Sequence, residues 1–225
     1  SSIDEIKKKV VISKNDQKIE SDALIMSIGV SPNLDTKIID NTKINLDKSG
    51  YIKTNDNYET NTNNLFAIGD IIGGPWLAHK AMHDAINCVE YISTGQNTHK
   101  PKTHHIPGCI YSLPQVATIG YTEQQLEELS IPFKKGNFPF LANGKSQTMS
   151  NNYGFVKTLF NSETGEFLGA HLIGPDVTEM ISTFGLAISS ESTEDEFINT
   201  VFAHPTLSES IHESVLSAFG KPLHF

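Results

Sequence analysis

Gly154-Phe155-Val156-Lys157-Thr158-Leu159-Phe160 and Glu166-Phe167-Leu168-Gly169-Ala170-His171-Leu172-Ile173 flank the short run Asn161-Ser162-Glu163-Thr164-Gly165. The flanks are rich in residues that suit a pleated surface, and the run between them is made of turn formers closed by a glycine, a hairpin signal. Working outward, strand patterns also cover 106–111, 116–120 and 133–138. Helical spacing interrupts them at 122–129, where Thr122-x-x-Gln125 supplies a cap. It returns at 177–189, where Val177, Met180, Ile181, Phe184 and Ile188 fall on one stripe. Two more helices are expected at 194–199 and 207–218. Strands and helices arranged this way predict an α+β fold, an antiparallel sheet with helices on one side.

Upstream the pattern is looser. Residues 1–27 read as a charged lead-in, a strand around Val10-Val11-Ile12, a turn at Asn15-Asp16 and a buried strand Ala23-Leu24-Ile25-Met26. A hairpin of that size cannot bury a core by itself, so the chain is expected to enter an existing sheet partway through. Gly29-Val30-Ser31-Pro32-Asn33 then reads as a turn or loop, and 41–58 is rich in Asn, Asp, Lys and Thr. Residues 99–101 read as a linker, and His104-His105 as part of it.

Composition excludes several classes of function. The chain has 225 residues, 17 basic against 26 acidic, for a net charge of −9 and no basic block. That argues against nucleic acid or an anionic membrane as partner. Apolar runs such as 23–28 are too short to span a bilayer, and no signal-peptide pattern opens the sequence. The two cysteines, Cys88 and Cys109, do not form a disulfide framework, which fits a reducing compartment.

Leu65-Phe66-Ala67-Ile68 reads as a short strand ended by Gly69-Asp70. A glycine there lets backbone approach a ligand closely, and an aspartate can accept hydrogen bonds from sugar or polyol hydroxyls. The same pair also fits an ordinary strand exit. After Gly73-Gly74-Pro75 a helix is predicted over 76–94, with Ala78, Ala81, Ala85, Val89 and Ile92 on one face. Its free N-terminal N–H groups suit an anionic or electron-rich ligand edge. His79 and His83 are spaced i, i+4, but with no nearby third ligand we assign no metal. Cys88 reads as a small buried hydrophobe.

His204-Pro205-Thr206-Leu207-Ser208-Glu209 places an imidazole on a constrained turn and a carboxylate in the first turn of the next helix. Proline at 205 biases His204 away from helical dihedrals. A carboxylate that orients a histidine and stabilises its protonated form makes a general acid/base near neutral pH. Thr206-x-x-Glu209 also fits a capping box with no catalytic meaning.

Taken together, these pieces resemble a known family. Gly29-x-x-Pro32-Asn33, Thr60 through Gly69-Asp70, Leu77-Ala78-His79-Lys80-Ala81 and the segment 204–209 occur in the order found in flavin-dependent pyridine nucleotide-disulfide oxidoreductases. Phe138-Pro139-Phe140-x-Ala142-Asn143, Gly154-Phe155-Val156-Lys157, Gly169-Ala170-His171-x-Ile173-Gly174-Pro175 and Ala203-His204-Pro205 resemble the dihydrolipoamide dehydrogenase branch most closely. The resemblance covers roughly Ala23 to Ala218 and implies a C-terminal half. Residues 1–28 would end the NAD-binding α/β domain, 29–103 would form the second FAD-binding segment, and 104–225 the dimerisation domain. It further implies that Gly69 and Asp70 meet the ribityl chain of FAD, and that Leu77, Ala78 and His79 open a helix facing the flavin. His204 would be the acid/base toward a dihydrolipoyl thiol, held by Glu209 and acting on the partner subunit's flavin and disulfide. FAD and NAD as cofactors, a homodimer, and lipoyl domains of 2-oxo acid dehydrogenase or glycine-cleavage complexes as partners follow from the same likeness. So does a cytoplasmic location in a bacterium, or the mitochondrial matrix in a eukaryote.

Departures are informative. No Cys-x4-Cys pair and no G-x-G-x-x-G occurs, so the redox disulfide and both pyrophosphate loops are missing from the sequence, and the chain alone is expected to be inactive. Trp76, Val30 and Gln115 stand where relatives often carry methionine, arginine and glutamate. The alternatives are another flavin disulfide reductase of the glutathione or mercuric type, an autonomous dimerisation module, or an α+β domain without a catalytic role.

Overall fold

The computed structural model describes residues 2–4, 9–15, 17–96 and 100–224. Strands β1 (Ser2–Asp4), β2 (Lys9–Lys14) and β3 (Gln17–Ser21) form a small antiparallel sheet. Part of the expected charged lead-in therefore pairs as a strand, while residues 5–8, Asp16 of the expected turn and His99 of the expected linker lie outside the described residues. The run 23–26 corrects an expectation. It has no regular structure, and Leu24, Ile25 and Met26 are 39, 89 and 70% exposed. A strand needs ladder partners for its N–H and C=O groups, and none of the described strands pairs with this run.

Helix α1 (Thr36–Thr42) was not legible in the polar composition around it. Asp35 creates it, since its carboxylate accepts the Lys37 N–H at 2.8 Å. The expected strand at 65–68 shrinks to a single bridge, Glu59 to Phe66, followed by a 3₁₀ turn at Gly69–Ile72. Helix α2 (Ala78–Thr94) starts two residues later than predicted and buries a different face. Lys80, Asp84 and Cys88 are inside, whereas Ala78, Val89 and Ile92 are exposed. The reason is polar, because Asp84 and Lys80 find hydrogen-bond and ion-pair partners beneath the helix that let that face turn inward. His104 and His105 are likewise more than linker, forming a half-buried 3₁₀ turn in which His104 stacks on Tyr121 at 4.1 Å between ring centres.

From here the expected layer is realised. Strands β4 (Gly108–Ile110), β5 (Gln115–Gly120), β6 (Phe133–Pro139), β7 (Phe155–Asn161) and β8 (Phe167–Gly174) form one antiparallel sheet in the order β4-β5-β8-β7-β6. The quoted hairpin pairs β7 with β8, Val156 opposite Leu172 and Thr158 opposite Ala170. Helix α5 (Val177–Ser189) covers β5 and β8, and its predicted stripe is buried in full. Helix α6 (Glu194–Asn199) and α7 (Glu209–Ala218) complete that face, where Phe160, Phe167, Phe184 and Phe197 meet ring to ring at 5.3–5.9 Å. Rings at such distances add attraction beyond the apolar area they bury. The short helix α3 (Glu123–Glu128), with its Thr122/Gln125 capping box formed, packs Leu126 with Leu159 and Leu168 in a separate cluster.

Helix α7 lies unusually close to the sheet. A Cβ at Gly136 of β6 would fall 1.8 Å from the Ser214 carbonyl oxygen, so only glycine admits this approach. Beside it, the buried hydroxyls of Thr158 and Ser214 share a 2.9 Å hydrogen bond. This contact sets the height of the helix whose first residue is Glu209.

Candidate functional site

Residues 204–209 form a compact turn at the start of α7. Helix α7 begins at Glu209, two residues after the expected start, and the peptide bond between His204 and Pro205 is cis. Thr206 does not cap with its side chain as expected, because its hydroxyl donates back to the Ala203 carbonyl at 2.7 Å. Glu209 does the local work. One carboxylate oxygen accepts the Thr206 N–H at 2.8 Å, and the other lies 2.9 Å from His204 Nδ1. A carboxylate only accepts, so Nδ1 carries the proton and, in the neutral ring, Nε2 keeps its lone pair.

Burial alone would raise the Glu209 pKa, but the Thr206 N–H and His204 outweigh it and hold the carboxyl below its ordinary value. Glu209 therefore stays charged at neutral pH beside an imidazole whose side chain is 76% exposed. His204 and Glu209 line a cleft of about 640 Å³ with Phe138, Asn143, Ile198 and Phe202. Chemically, the arrangement leaves the Nε2 lone pair free to accept a proton, with the Glu209 carboxylate on the opposite nitrogen.

Asn143 supports this turn from a distance. Its side chain caps the short helix α4 (Gly144–Thr148) by accepting the Ser146 N–H, and its amide donates to the Thr206 carbonyl at 3.0 Å. Asn143 stands in the run Phe138-Pro139-Phe140-x-Ala142-Asn143, where no role for it is legible from the sequence. The signal was Asn143-x-x-Ser146, a cap spacing whose second partner lies 63 residues away.

The other candidate residues gather elsewhere. Asp70 is exposed in the 3₁₀ turn and lines a cleft of about 470 Å³ with Pro32, Asn33, Tyr51 and Trp76. Gly69, at φ +74°, turns the chain into it. Leu77 sits at the N-cap of α2 and offers no side-chain hydrogen bond, so among the described residues the N–H groups of the first turn remain open. Ala78 is exposed on that turn, while His79 is tied down, its Nε2–H donating to the Pro107 carbonyl at 2.8 Å. An exposed carboxylate beside an uncapped helix start fits a ligand with both hydroxyls and an electron-rich edge, as FAD has. The two clefts share no lining residue. Cys88 and Cys109 are free thiols, each with its pKa raised chiefly by burial.

Two family models match the chain. Residues 106–215 match the dimerisation domain of the pyridine nucleotide-disulphide oxidoreductases, and residues 1–85 match the pyridine nucleotide-disulphide oxidoreductase domain. The chain is 45% identical over 201 residues to a dihydrolipoyl dehydrogenase of Zymomonas mobilis, covering 89% of the chain and 43% of that protein. It is 40% identical over 208 residues to the dihydrolipoyl dehydrogenase of Rhizobium etli, covering 92% of the chain and 43% of the relative. Among solved structures, the flavoprotein disulfide reductase RclA of Escherichia coli superposes with a TM-score of 0.86 at 22% identity, over 95% of this chain and 48% of that one. LpdA of Mycobacterium tuberculosis gives 0.83 at 22% identity, over 91% and 45%. These two establish the fold alone. The chain thus spans less than half the length of the relatives it matches, and it belongs to the pyridine nucleotide-disulphide oxidoreductase family.

Proposed function

We propose that this chain is the C-terminal portion of a dihydrolipoyl dehydrogenase, with residues 1–28 ending the NAD-binding domain, 29–103 forming the second FAD-binding segment and 104–225 the interface domain. The observation that carries the reading is the His204–Glu209 pair, 2.9 Å apart and open to a cleft. His204 Nε2 accepts the proton of a dihydrolipoyl thiol, leaving the thiolate as the nucleophile. Glu209 fixes the tautomer beforehand and balances the imidazolium afterwards. Cys88 and Cys109 lie in different surroundings from the redox pair this reaction needs, so that pair belongs to sequence outside this chain. Bound FAD supplies the route by which two electrons reach NAD⁺. Toward it the chain contributes Asp70, as acceptor for hydroxyls, and the open first turn of α2 at Leu77, Ala78 and His79. The matched dimerisation domain supports a homodimer, in which His204 of one subunit serves the flavin of the other. The lipoyl domain of a 2-oxo acid dehydrogenase or glycine-cleavage complex is the proposed source of the thiol.

The test is a His204→Gln variant of an intact enzyme carrying this sequence. Oxidation of dihydrolipoamide should fall by roughly 10²–10⁴-fold, the usual worth of a general base, while flavin reduction by NADH persists. Undiminished lipoamide turnover in that variant would sink the assignment.

A further inference from the structure

Helix α2 buries an ion pair where an apolar face was available. Lys80 and Asp84, one turn apart, are 10 and 2% exposed at their side chains and lie 2.7 Å from each other. A buried ion pair is rarely the most stabilising choice, since well-packed apolar residues of similar volume do as well or better. Its contacts point to another use. One oxygen of Asp84 accepts the Gly69 N–H at 3.1 Å, while Lys80 Nζ donates to the Gly69 carbonyl at 3.4 Å. Both peptide groups of a single residue are thus gripped by opposite charges. The other Asp84 oxygen takes the Tyr58 hydroxyl at 3.0 Å. Burial, above all, pushes the Tyr58 pKa up to about 12, so that donor stays protonated. Lys100 closes the cluster, its ammonium 4.5 Å from the centre of the Tyr58 ring. Gly69 itself presses on α2, since a Cβ there would lie 3.3 Å from that of Ala81.

We infer that Lys80 and Asp84 are positioning residues for the cofactor contact: by clamping both peptide groups of Gly69 they fix the 3₁₀ turn that presents Asp70 and register it against the N-terminus of α2. This rests on the reading of Asp70 as a flavin contact. The clamp explains why a left-handed glycine, an exposed acid and an open helix start keep a fixed mutual geometry, which a cofactor touching all of them requires.

Two measurements test it. In the 225-residue chain, hydrogen exchange of the amides of Gly69–Ile72 should quicken in Asp84→Asn and Lys80→Met, while amides of α7 keep their protection and so report an intact fold. In an intact enzyme carrying this sequence, both substitutions should raise the dissociation constant for FAD roughly ten- to a hundredfold, the range for one buried hydrogen bond to a charged group. The charge-swapped double variant K80D/D84K keeps an ion pair but turns a donor toward the Gly69 N–H, and it should bind FAD as poorly as the single variants. Wild-type FAD affinity in the swapped enzyme, or unchanged exchange at Gly69–Ile72 in the single variants, overturns the proposal. Asp70→Ala separates the two ideas. If it weakens FAD binding and the Lys80 and Asp84 variants do not, the clamp fails alone; if it leaves binding unchanged, the flavin reading of Asp70 fails first.

Discussion

Glu209 is asked to do two things with two oxygens, and the division between them predicts graded losses. Replacing it with alanine frees the imidazole to adopt the wrong tautomer and removes the balancing charge, yet leaves Nε2 in place. Glu209→Ala should therefore slow flavin reduction by dihydrolipoamide less than His204→Gln does, with reduction by NADH unaffected in both, as stopped-flow absorbance would show. A second carboxylate gives a prediction for pH. Glu123 accepts from Lys135 at 2.8 Å and Lys157 at 2.7 Å, and those hydrogen bonds lower its pKa against the opposing effect of burial. A lowered folded-state pKa contributes stability that is present above the ordinary value of 4.5 and lost as the pH falls through the folded value. Glu123→Gln should thus cost stability at pH 7 and have little effect at the acid end, measured by urea denaturation at several pH values. At this scale the His204–Glu209 pair was legible because its members lie within one turn of sequence. Asn143 and Asp84 were not, since their partners at Thr206, Tyr58 and Gly69 are brought near only by the fold.

Elements were legible in proportion to how far their burial is apolar. The β7–β8 hairpin and α5 follow from period-2 and period-3.6 patterns because each packs a hydrophobic face on the same core. Helix α2 broke the rule because charged groups hold it, and the strand expected at 23–26 broke it because an apolar run does not pair without a neighbour. The contact between α7 and β6 yields a sharp prediction. Gly136→Ala drives a methyl group into the Ser214 carbonyl, which overpacking puts at about 1–3 kcal/mol or more, and it tilts the helix that carries Glu209. Melting temperature should drop, and lipoamide turnover in an intact enzyme should fall with it. Around Tyr121 a different device operates. His104 stacks on its ring and His171 Nε2–H donates to its carbonyl at 2.9 Å, while burial lowers the pKa of both histidines, and of His105, below 6.5. Each takes up a proton less readily folded than unfolded, so stability is held above pH 6.5 and lost as the pH falls below it. His171→Gln should flatten the loss of stability between pH 7 and 5 in thermal scans.

For the whole molecule, the matched dimerisation domain predicts that the chain elutes as a dimer in size-exclusion chromatography without flavin; a monomer would count against the interface half acting alone. With less than half the length of its relatives and no pyrophosphate loop, the same sample should show no flavin spectrum and no NAD reduction. None of the helices among the described residues is long and apolar enough to cross a membrane. One feature of the surface still bears on all such measurements. Leu24, Ile25, Met26, Ile28 and Val30 stand exposed in a run with neither charge nor proline, the composition from which cross-β assemblies nucleate. Colloidal stability of this chain is therefore governed by a run away from the His204 cleft, of which Val30 also lines the Asp70 cleft. Concentrated solutions should scatter light in open-ended growth, unlike a closed dimer that saturates, and a single gatekeeper charge, Ile25→Lys, should suppress that growth while leaving the two-fold association intact.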